Sequence, residues 1–448
     1  MENTGNNKES PPYSISLHEL KFPFFTFGEG VKDQDKLTLL HLRPYKTGKG
    51  RKIKLFSIIR GGNSKPLLEL KKMLEEEKFQ KLLLAKGPDI QIVGMISEDD
   101  LMRDFYLYKD SLIIILHDKN MNNDYHDHIK FLAKKNNVRV QFIDITHLSD
   151  SNSFPFKGVM TQLIAKDDGI PWILDIEDNV SFYSNSMIIG ISYSSKHGRL
   201  SYGVAHFIDL LNMEEKIEII KGGLRTDSFR GLLLREEEFQ QVINQAIRWY
   251  KSETSKSTES LHIFLYETAP IRKNNTKYVS DLIADPSKVG FKRFAFTHVH
   301  IKSTNYGVPR MYDISNVGYI PEYSYMQKRG TYIKVEMKSG DSSFSMKGEI
   351  IIGTTGFYLQ NNSKPKGTKG TPVPLYAQVT SNVANILDIV ADQVMKLAHL
   401  DWEYLFQEYR MPFMIKYSTI LARFINQFCK TDQEFNDFPT LWDVRDLM

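Results

Sequence analysis

The stretch SNSMIIGISYSS, Ser184 to Ser195, reads as a strand in which Met187, Ile188 and Ile189 run through Gly190 into a series of small hydroxylated residues. It opens a strand-rich block. RLSYGVAHFIDLL (199–211) and KIEIIKGGL (216–224) follow as two more strand candidates, then the helix REEEFQQVINQAIRWYKSE (235–253), whose first turn is acidic, and then the strand LHIFLYE (261–267). The remainder, SNVANILDIVADQVMKLAHLDWEYL (381–405) and IKYSTILARFINQF (415–428), is helical in pattern. Several strands, one long helix and another strand with an acidic end make a second, mixed α/β block.

Working towards the start of the chain, Pro171-Trp172 in DDGIPWIL (167–174) marks a boundary near residue 172. Before it, KIKLFSII (52–59) reads as a buried strand and SKPLLELKKMLEEEKFQKLLLA (64–85) as a helix with Leu67, Leu68, Leu70, Met73 and Leu74 on its apolar side. IQIVGMI (90–96) is a strand, and SLIIILHD (111–118), DYHDHIKFLAKKNN (124–137) and VRVQFIDI (138–145) follow as strand, helix and strand. Strands alternating with helices at this spacing predict a parallel sheet. Residues 1–12, polar and rich in Asn, Glu, Ser and Pro, read as a loose tail without a core.

The chain has 448 residues, 41% hydrophobic and 25% charged, which is ordinary for a folded protein of two or three domains. Its 58 basic and 54 acidic residues leave a net charge of +4, so affinity for nucleic acid must come from local patches. The single cysteine, Cys429, excludes an intramolecular disulfide and a cysteine-based zinc site and reads as buried in the last helix. With no apolar leader and no run of 18 apolar residues, the expectation is a cytoplasmic protein that is not inserted in a membrane.

DDGIPWIL, MIIGISYSS, LHIFLYETAP, GTPVPLYAQV, LAHLDWEYL and RMPFMIKYSTILARF occur in the order and at about the spacing seen in the PIWI domain of Argonaute proteins, and the segment before them resembles an Argonaute MID domain. The resemblance covers roughly residues 50–448 and leaves no space for the N and PAZ domains of a long Argonaute. It implies a short prokaryotic Argonaute of α/β class. A tail and hairpin segment (1–49) precedes a Rossmann-like MID domain (50–172) and an RNase H-like PIWI domain (173–448).

A guide strand begins with a 5′-phosphate and needs several donors converging on one anion. His126 and Lys130, four apart, share a helix face. With Gln141 and Lys166 they match the aromatic-or-His, Lys, Gln, Lys pattern that binds this phosphate in MID domains, and Gln162, one turn before Lys166, is placed to touch the 5′ nucleotide. Lysine supplies point charge, glutamine amide donors, and His126 donates or stacks on the first base. The resemblance also allows Mg²⁺ at the guide 5′-phosphate. The plainer reading of Lys130 alone is a solvated surface helix.

Active PIWI domains place metal-binding residues at four positions. Here the first is Ser192 and the third lies in Tyr266-Glu267-Thr268, where Arg-Asp-Gly is usual; the last falls at Ser418 or Thr419. A hydroxyl stays protonated near neutral pH and cannot supply the anionic oxygen that two Mg²⁺ ions need. Glu236–Glu238 are candidates for the mobile finger, although glutamates at a helix start more simply favour its N-terminus. Of the other clusters, His117, Asp118, Asp124, His126, Asp127 and His128 read as a solvated loop and helix start, because His126 and His128 point to different faces. His298 and His300 share a strand face and read as cross-strand or nucleic-acid contacts. The basic stretches Arg43–Lys54 and Asn361–Pro374, and Lys302, Arg310, Arg410 and Lys416, are candidates for phosphate-backbone contact.

The expected function is a guide-loaded sensor that holds a guide, RNA over DNA, and pairs it with a target, single-stranded DNA first, without cutting. Base pairing reads the sequence while the protein holds the geometry. The resemblance implies a partner effector: an APAZ-containing protein carrying a TIR, sirtuin-like or nuclease domain, or a membrane effector, acting in defence against plasmids or phages by abortive infection. The alternative is a PIWI endonuclease with relocated ligands such as Glu267, Asp209 or Asp313; a second is a structural subunit with a vestigial channel.

Overall fold

The computed structural model describes residues 13–58, 64–77, 80, 89–118, 123–148, 154–176, 183–196, 199–209, 214–219, 234–254, 259–302, 329–337, 346–354, 374–402, 411–429, 431–439 and 441–448. The first described elements are three strands, β1 (Tyr13–Glu19), β2 (Phe25–Thr26) and β3 (Lys32–Asp33). An α/β unit follows: β4 (Ile53–Ser57), α1 (Lys65–Leu74), β5 (Ile90–Met95), α2 (Glu98–Asp104), β6 (Leu112–His117), α3 (Asn123–Lys135), β7 (Arg139–Asp144) and α4 (Phe154–Lys166). Its four strands pair in the order β5-β4-β6-β7, all parallel, as the alternation of strand and helix predicts.

The unbroken apolar run of β6 follows from that arrangement. Leu112, Ile114 and Leu116 enter one buried core and Ile113 and Ile115 another, so both faces are covered and no polar alternation survives. A bulge interrupts β5, where Leu55 faces Ile92 but Phe56 faces Gly94; Gly94 sits at φ +115°, a conformation that residues with a Cβ avoid.

The second unit contains β8 (Ile173–Leu174), β9 (Ser186–Lys196), β10 (Arg199–Asp209), β11 (Glu214–Ile219), α5 (Glu236–Glu253), β12 (Ser260–Glu267), α6 (Lys273–Ala284) and β13 (Arg293–Ile301). Then come β14 (Thr331–Met337), β15 (Met346–Ile352), β16 (Leu375–Ser381), α7 (Ile386–His399), α8 (Phe413–Phe428), α9 (Asp432–Asn436), β17 (Leu441–Trp442) and α10 (Val444–Leu447). Ten strands form one mixed sheet, in the order β1-β14-β15-β16-β13-β12-β9-β10-β11-β17, with β9, β12 and β13 parallel at its centre. Met187, Ile189 and Ile191 of β9, with Leu261, Ile263 and Leu265 of β12, pack with α5 and α6; Ile188, Phe264 and Tyr266 point the other way, into the core shared with α7 and α8. No helix among the described residues is long and apolar enough to cross a membrane.

Within the opening segment, read as a tail and hairpin, β2 pairs antiparallel with β3 and also bonds to β8, and β1 adds an edge strand to the large sheet by pairing antiparallel with β14. Edge pairing leaves one strand face half-exposed, so the segment lacks the apolar density by which the sequence marks its buried strands. The loose tail, residues 1–12, lies outside the described residues.

Candidate functional site

The strand–helix geometry of the first unit brings together the five residues singled out in its sequence. Lys130 and Lys166 are almost fully buried, unusual for lysine, and each ammonium meets main-chain oxygens from the far end of the sequence. Lys130 Nζ donates to Leu447 O at 2.9 Å; Lys166 Nζ donates to Met448 O at 2.7 Å and to Arg445 O at 3.2 Å. Gln141 Nε2, on β7, donates to Gln162 Oε1 on α4 at 2.7 Å and to Phe142 O at 2.9 Å. Gln141 Oε1 is buried with no hydrogen-bond partner among the described residues. The His126 ring lies against Phe142, 4.0 Å between centroids. Desolvation first, then the nearby Lys130 charge, pushes His126 down to about 4, so it is neutral at pH 7 and serves as a ring or a neutral hydrogen-bonding group, not a cation.

A charged frame fixes the segment that meets the lysines. Lys134 pairs with Asp446 at 2.7 Å, Arg139 pairs with Asp446 and with Asp443 at 3.6 Å, and Arg445 pairs with Asp443 at 2.7 Å. Arg139 also reaches Asp168, which Lys49 and Arg51 approach at 2.8 and 2.6 Å. Burial alone would raise the Asp168 carboxyl; the bonds from Lys49 and Arg51 and their charges outweigh it and bring the group to about 2. The basic stretch Arg43–Lys54, a candidate for following phosphates, is therefore partly committed elsewhere. Gly50 and Arg51 also donate main-chain N–H groups to the Asp167 carboxylate, at 2.7 and 2.9 Å. Sequence reading missed Arg139 and the 443–448 segment, and the only signal for them is the charge run of DVRD (443–446).

The strand that opens the second unit meets α8 closely. A Cβ on Gly190 would lie 2.5 Å from Met414 Cγ, which is why glycine stands there. Ser192, 1% exposed, accepts hydrogen bonds from Ser418 and Thr419 hydroxyls, both at 2.9 Å, and donates to Ile415 O at 3.3 Å. On β12, both carboxylate oxygens of Glu267 are engaged: Tyr193 Oη donates to Oε2 at 2.7 Å, and His298 Nε2 lies 2.6 Å from Oε1. Tyr266 Oη donates to Gln393 at 2.7 Å. Glu238 accepts the Arg235 N–H at 2.6 Å, a helix-cap contact, and Glu236 meets Gln240. No group of three or more His, Cys, Asp or Glu side chains suited to a metal occurs among the described residues.

The remaining candidates separate. Lys416, expected to face a duplex, is instead buried in an ion pair with Asp401 and contacts Tyr417. Lys302 lies with its ammonium 5.9 Å from the Tyr376 ring centre, at the end of β13. Arg310, Arg410, Asp313 and residues 361–373 lie outside the described residues. Asp209 is fully buried, and its charge raises the Tyr250 hydroxyl, already raised by burial, to about 12. His128 packs on Phe428 and His126 on Phe142, two different faces of α3, while Asp127 pairs with Arg423 at 3.1 Å. His300 meets Gln378 across the sheet at 3.3 Å. Cys429 is half-buried at the end of α8, less enclosed than its sequence setting predicts.

No family model matches the sequence, and no curated protein does. Among solved structures, the chain is similar to Clostridium butyricum Argonaute bound to a guide DNA with a 5′ deoxycytidine and a 19-mer target DNA, with TM-score 0.63 and 13% identity over 92% of this chain and 53% of that one. Drosophila Piwi is similar at TM-score 0.64 and 15% identity, over 92% of this chain and 54% of its own. The chain spans about half the length of both, and its fold is that of Argonaute and Piwi proteins over the MID and RNase H-like PIWI parts.

Proposed function

We propose, on the premise that this chain carries the MID–PIWI fold of an Argonaute, that it binds the 5′-phosphorylated end of a guide nucleic acid and pairs the guide with a complementary target. The observation that carries this reading is the convergence of Lys130, Lys166, Gln141, Gln162 and neutral His126 at one place in the first unit. Two buried ammonium groups whose partners are main-chain oxygens can exchange those partners for phosphate oxygens, which offer stronger, charge-assisted bonds. The His126 ring, seated on Phe142, offers a face for the first base. Mg²⁺ fits the same donor set, since Gln141 Oε1 is a buried oxygen lacking a partner among the described residues; Gln141 would hold the ion, which would supply positive charge to the guide phosphates. The Clostridium butyricum Argonaute carries a guide DNA and a target DNA; for this chain we put an RNA guide and a single-stranded DNA target first.

We further propose that the PIWI half senses the target without cutting and passes the signal to a separate effector protein in the cytoplasm. Support comes from the hydroxyl cluster at Ser192, whose bonds close on one another, and from Glu267, both of whose oxygens are already bonded. The test compares binding of 5′-phosphorylated and 5′-hydroxyl guides, RNA and DNA, by the wild type and by the Lys130→Ala/Lys166→Ala variant. A wild type that prefers the phosphorylated guide and a variant that loses the preference support the reading; equal losses for both guides overturn it. Incubating the guide-loaded wild type with labelled target across Mg²⁺ and Mn²⁺ concentrations tests the second part, which cutting at one defined phosphate would refute.

A further inference from the structure

The two ends of the ten-stranded sheet are finished differently. One ends in β17, two residues long, which limits the main chain available to a stranger. The other ends in β1, seven residues of YSISLHE without lysine or proline, the residues that usually blunt an edge. Ile15 and Leu17 on this strand are 64% and 67% exposed. They lie opposite Val335 and Ile333 of β14, both half-buried, and Met337 two positions on is 41% exposed. The opposite face is closed: His18 stacks on Tyr332, and Tyr332 and Lys334 both bond Asp388 of α7. Among the described residues, this end of the sheet therefore combines an open strand edge with one apolar face.

We propose that β1 is a homotypic pairing edge, on which the β1 strand of a second copy of this chain adds antiparallel and joins the two ten-stranded sheets into one. The sequence of β1 is self-complementary about Ser16. An antiparallel twofold there sets Ile15 opposite Leu17, Ser14 opposite His18, Tyr13 opposite Glu19, and Ser16 opposite itself, so apolar meets apolar and no like charges oppose. A twofold perpendicular to the sheet keeps the faces matched, so the strip of Ile15, Leu17, Val335, Ile333 and Met337 continues across the axis. A one-residue slip would set Ile15 against a polar partner. A contact of this size belongs to the small end of specific interfaces, below about 1,200 Å², and so to a concentration-dependent equilibrium.

Sedimentation of the full-length protein across a concentration series, without guide, tests the proposal and is independent of the guide-binding reading. The wild type should pass from monomer to dimer as concentration rises. Ile15→Lys/Leu17→Lys should remain monomeric at every concentration while keeping the wild-type unfolding midpoint. Because that variant alters both exposed side chains at once, a second one fixes the register: Ser16→Cys in a Cys429→Ala background should form a disulfide-linked dimer under mild oxidation, whereas Glu19→Cys in the same background should not. A wild type that stays monomeric throughout, a dimer indifferent to the lysines, or a cross-link at position 19 but not at 16 overturns the proposal. So does a wild type isolated with this edge occupied by a strand of a different protein.

Discussion

The polar clusters around Lys130–Lys166 and around Ser192–Glu267 differ in how fully their groups are matched. Around Lys130 and Lys166 the side chains are charged, buried and bonded to main-chain oxygens of residues 445–448, and one amide oxygen, on Gln141, has no partner among the described residues. Around Ser192 and Glu267 the polar groups are matched: three hydroxyls that bond one another and Ile415 O in one group, and a carboxylate held between a tyrosine and a histidine in the other. A buried polar group left short of partners is costly, and the Gln141 oxygen, an acceptor, gains from an incoming donor or cation. The second is satisfied, and an incoming metal or phosphate has to break bonds already made.

The contrast predicts where substitutions act on binding and where on stability. The largest effect is on binding. Lys130→Ala/Lys166→Ala removes two charge-assisted contacts worth roughly 1.5 to 3 kcal/mol each, so affinity for a 5′-phosphorylated guide should drop on the order of a hundredfold or more, read by competition against a 5′-hydroxyl guide. Next is Glu267→Ala, which strands the Tyr193 hydroxyl and the buried His298 ring and should lower unfolding free energy by about 3 kcal/mol in denaturant titration, with guide affinity unchanged. If guide affinity falls as well, the two clusters are coupled and the contrast fails.

Ser192→Asp places a carboxylate at a site 1% exposed, beside the Ser418 and Thr419 hydroxyls. Burial raises a folded carboxyl above its unfolded value, so the folded state binds more protons and stability is lost as pH rises through the folded value. The variant should be about 2 kcal/mol less stable than wild type at pH 7, close the gap as pH falls towards 4, and not cut target in Mg²⁺ or Mn²⁺. The smallest effect belongs to His126. Its folded value is depressed from 6.5 to about 4, so between those limits the unfolded chain binds the extra proton and stability is lost as pH falls. Exchanging it for phenylalanine should remove about 1 kcal/mol of the loss between pH 7 and pH 5, after allowance for the ring's partial exposure. An identical pH profile in the two proteins would mean the imidazole is not desolvated.

Sequence carries the fold here wherever both faces of a strand are buried, because the resulting apolar runs, such as Leu112–Leu116 and Met187–Ile191, stand out from their surroundings. It does not carry β1, whose exposed Ile15 and Leu17 look like any half-polar segment until β14, more than 300 residues later, is set beside it. The phosphate-anchor candidates are legible for a local reason: His126 and Lys130 share a helix face, and Gln162 and Lys166 share another. What holds them is not local. Leu447, Met448 and the Asp443–Asp446 frame have no spacing relation to residue 130, just as nothing around Lys416 announces that Asp401 neutralises it.

The bond from Lys130 to Leu447 joins positions 317 residues apart, and that from Lys166 to Met448 joins positions 282 apart. On a ribosome, where the chain emerges from its first residue onwards, the parallel four-stranded sheet is complete long before residues 443–448 exist. Through that interval both lysines lack these main-chain partners and Arg139 lacks Asp446. The cluster around Lys130 and Lys166 is thus completed by a segment that folds back onto it after some 280 to 320 intervening residues.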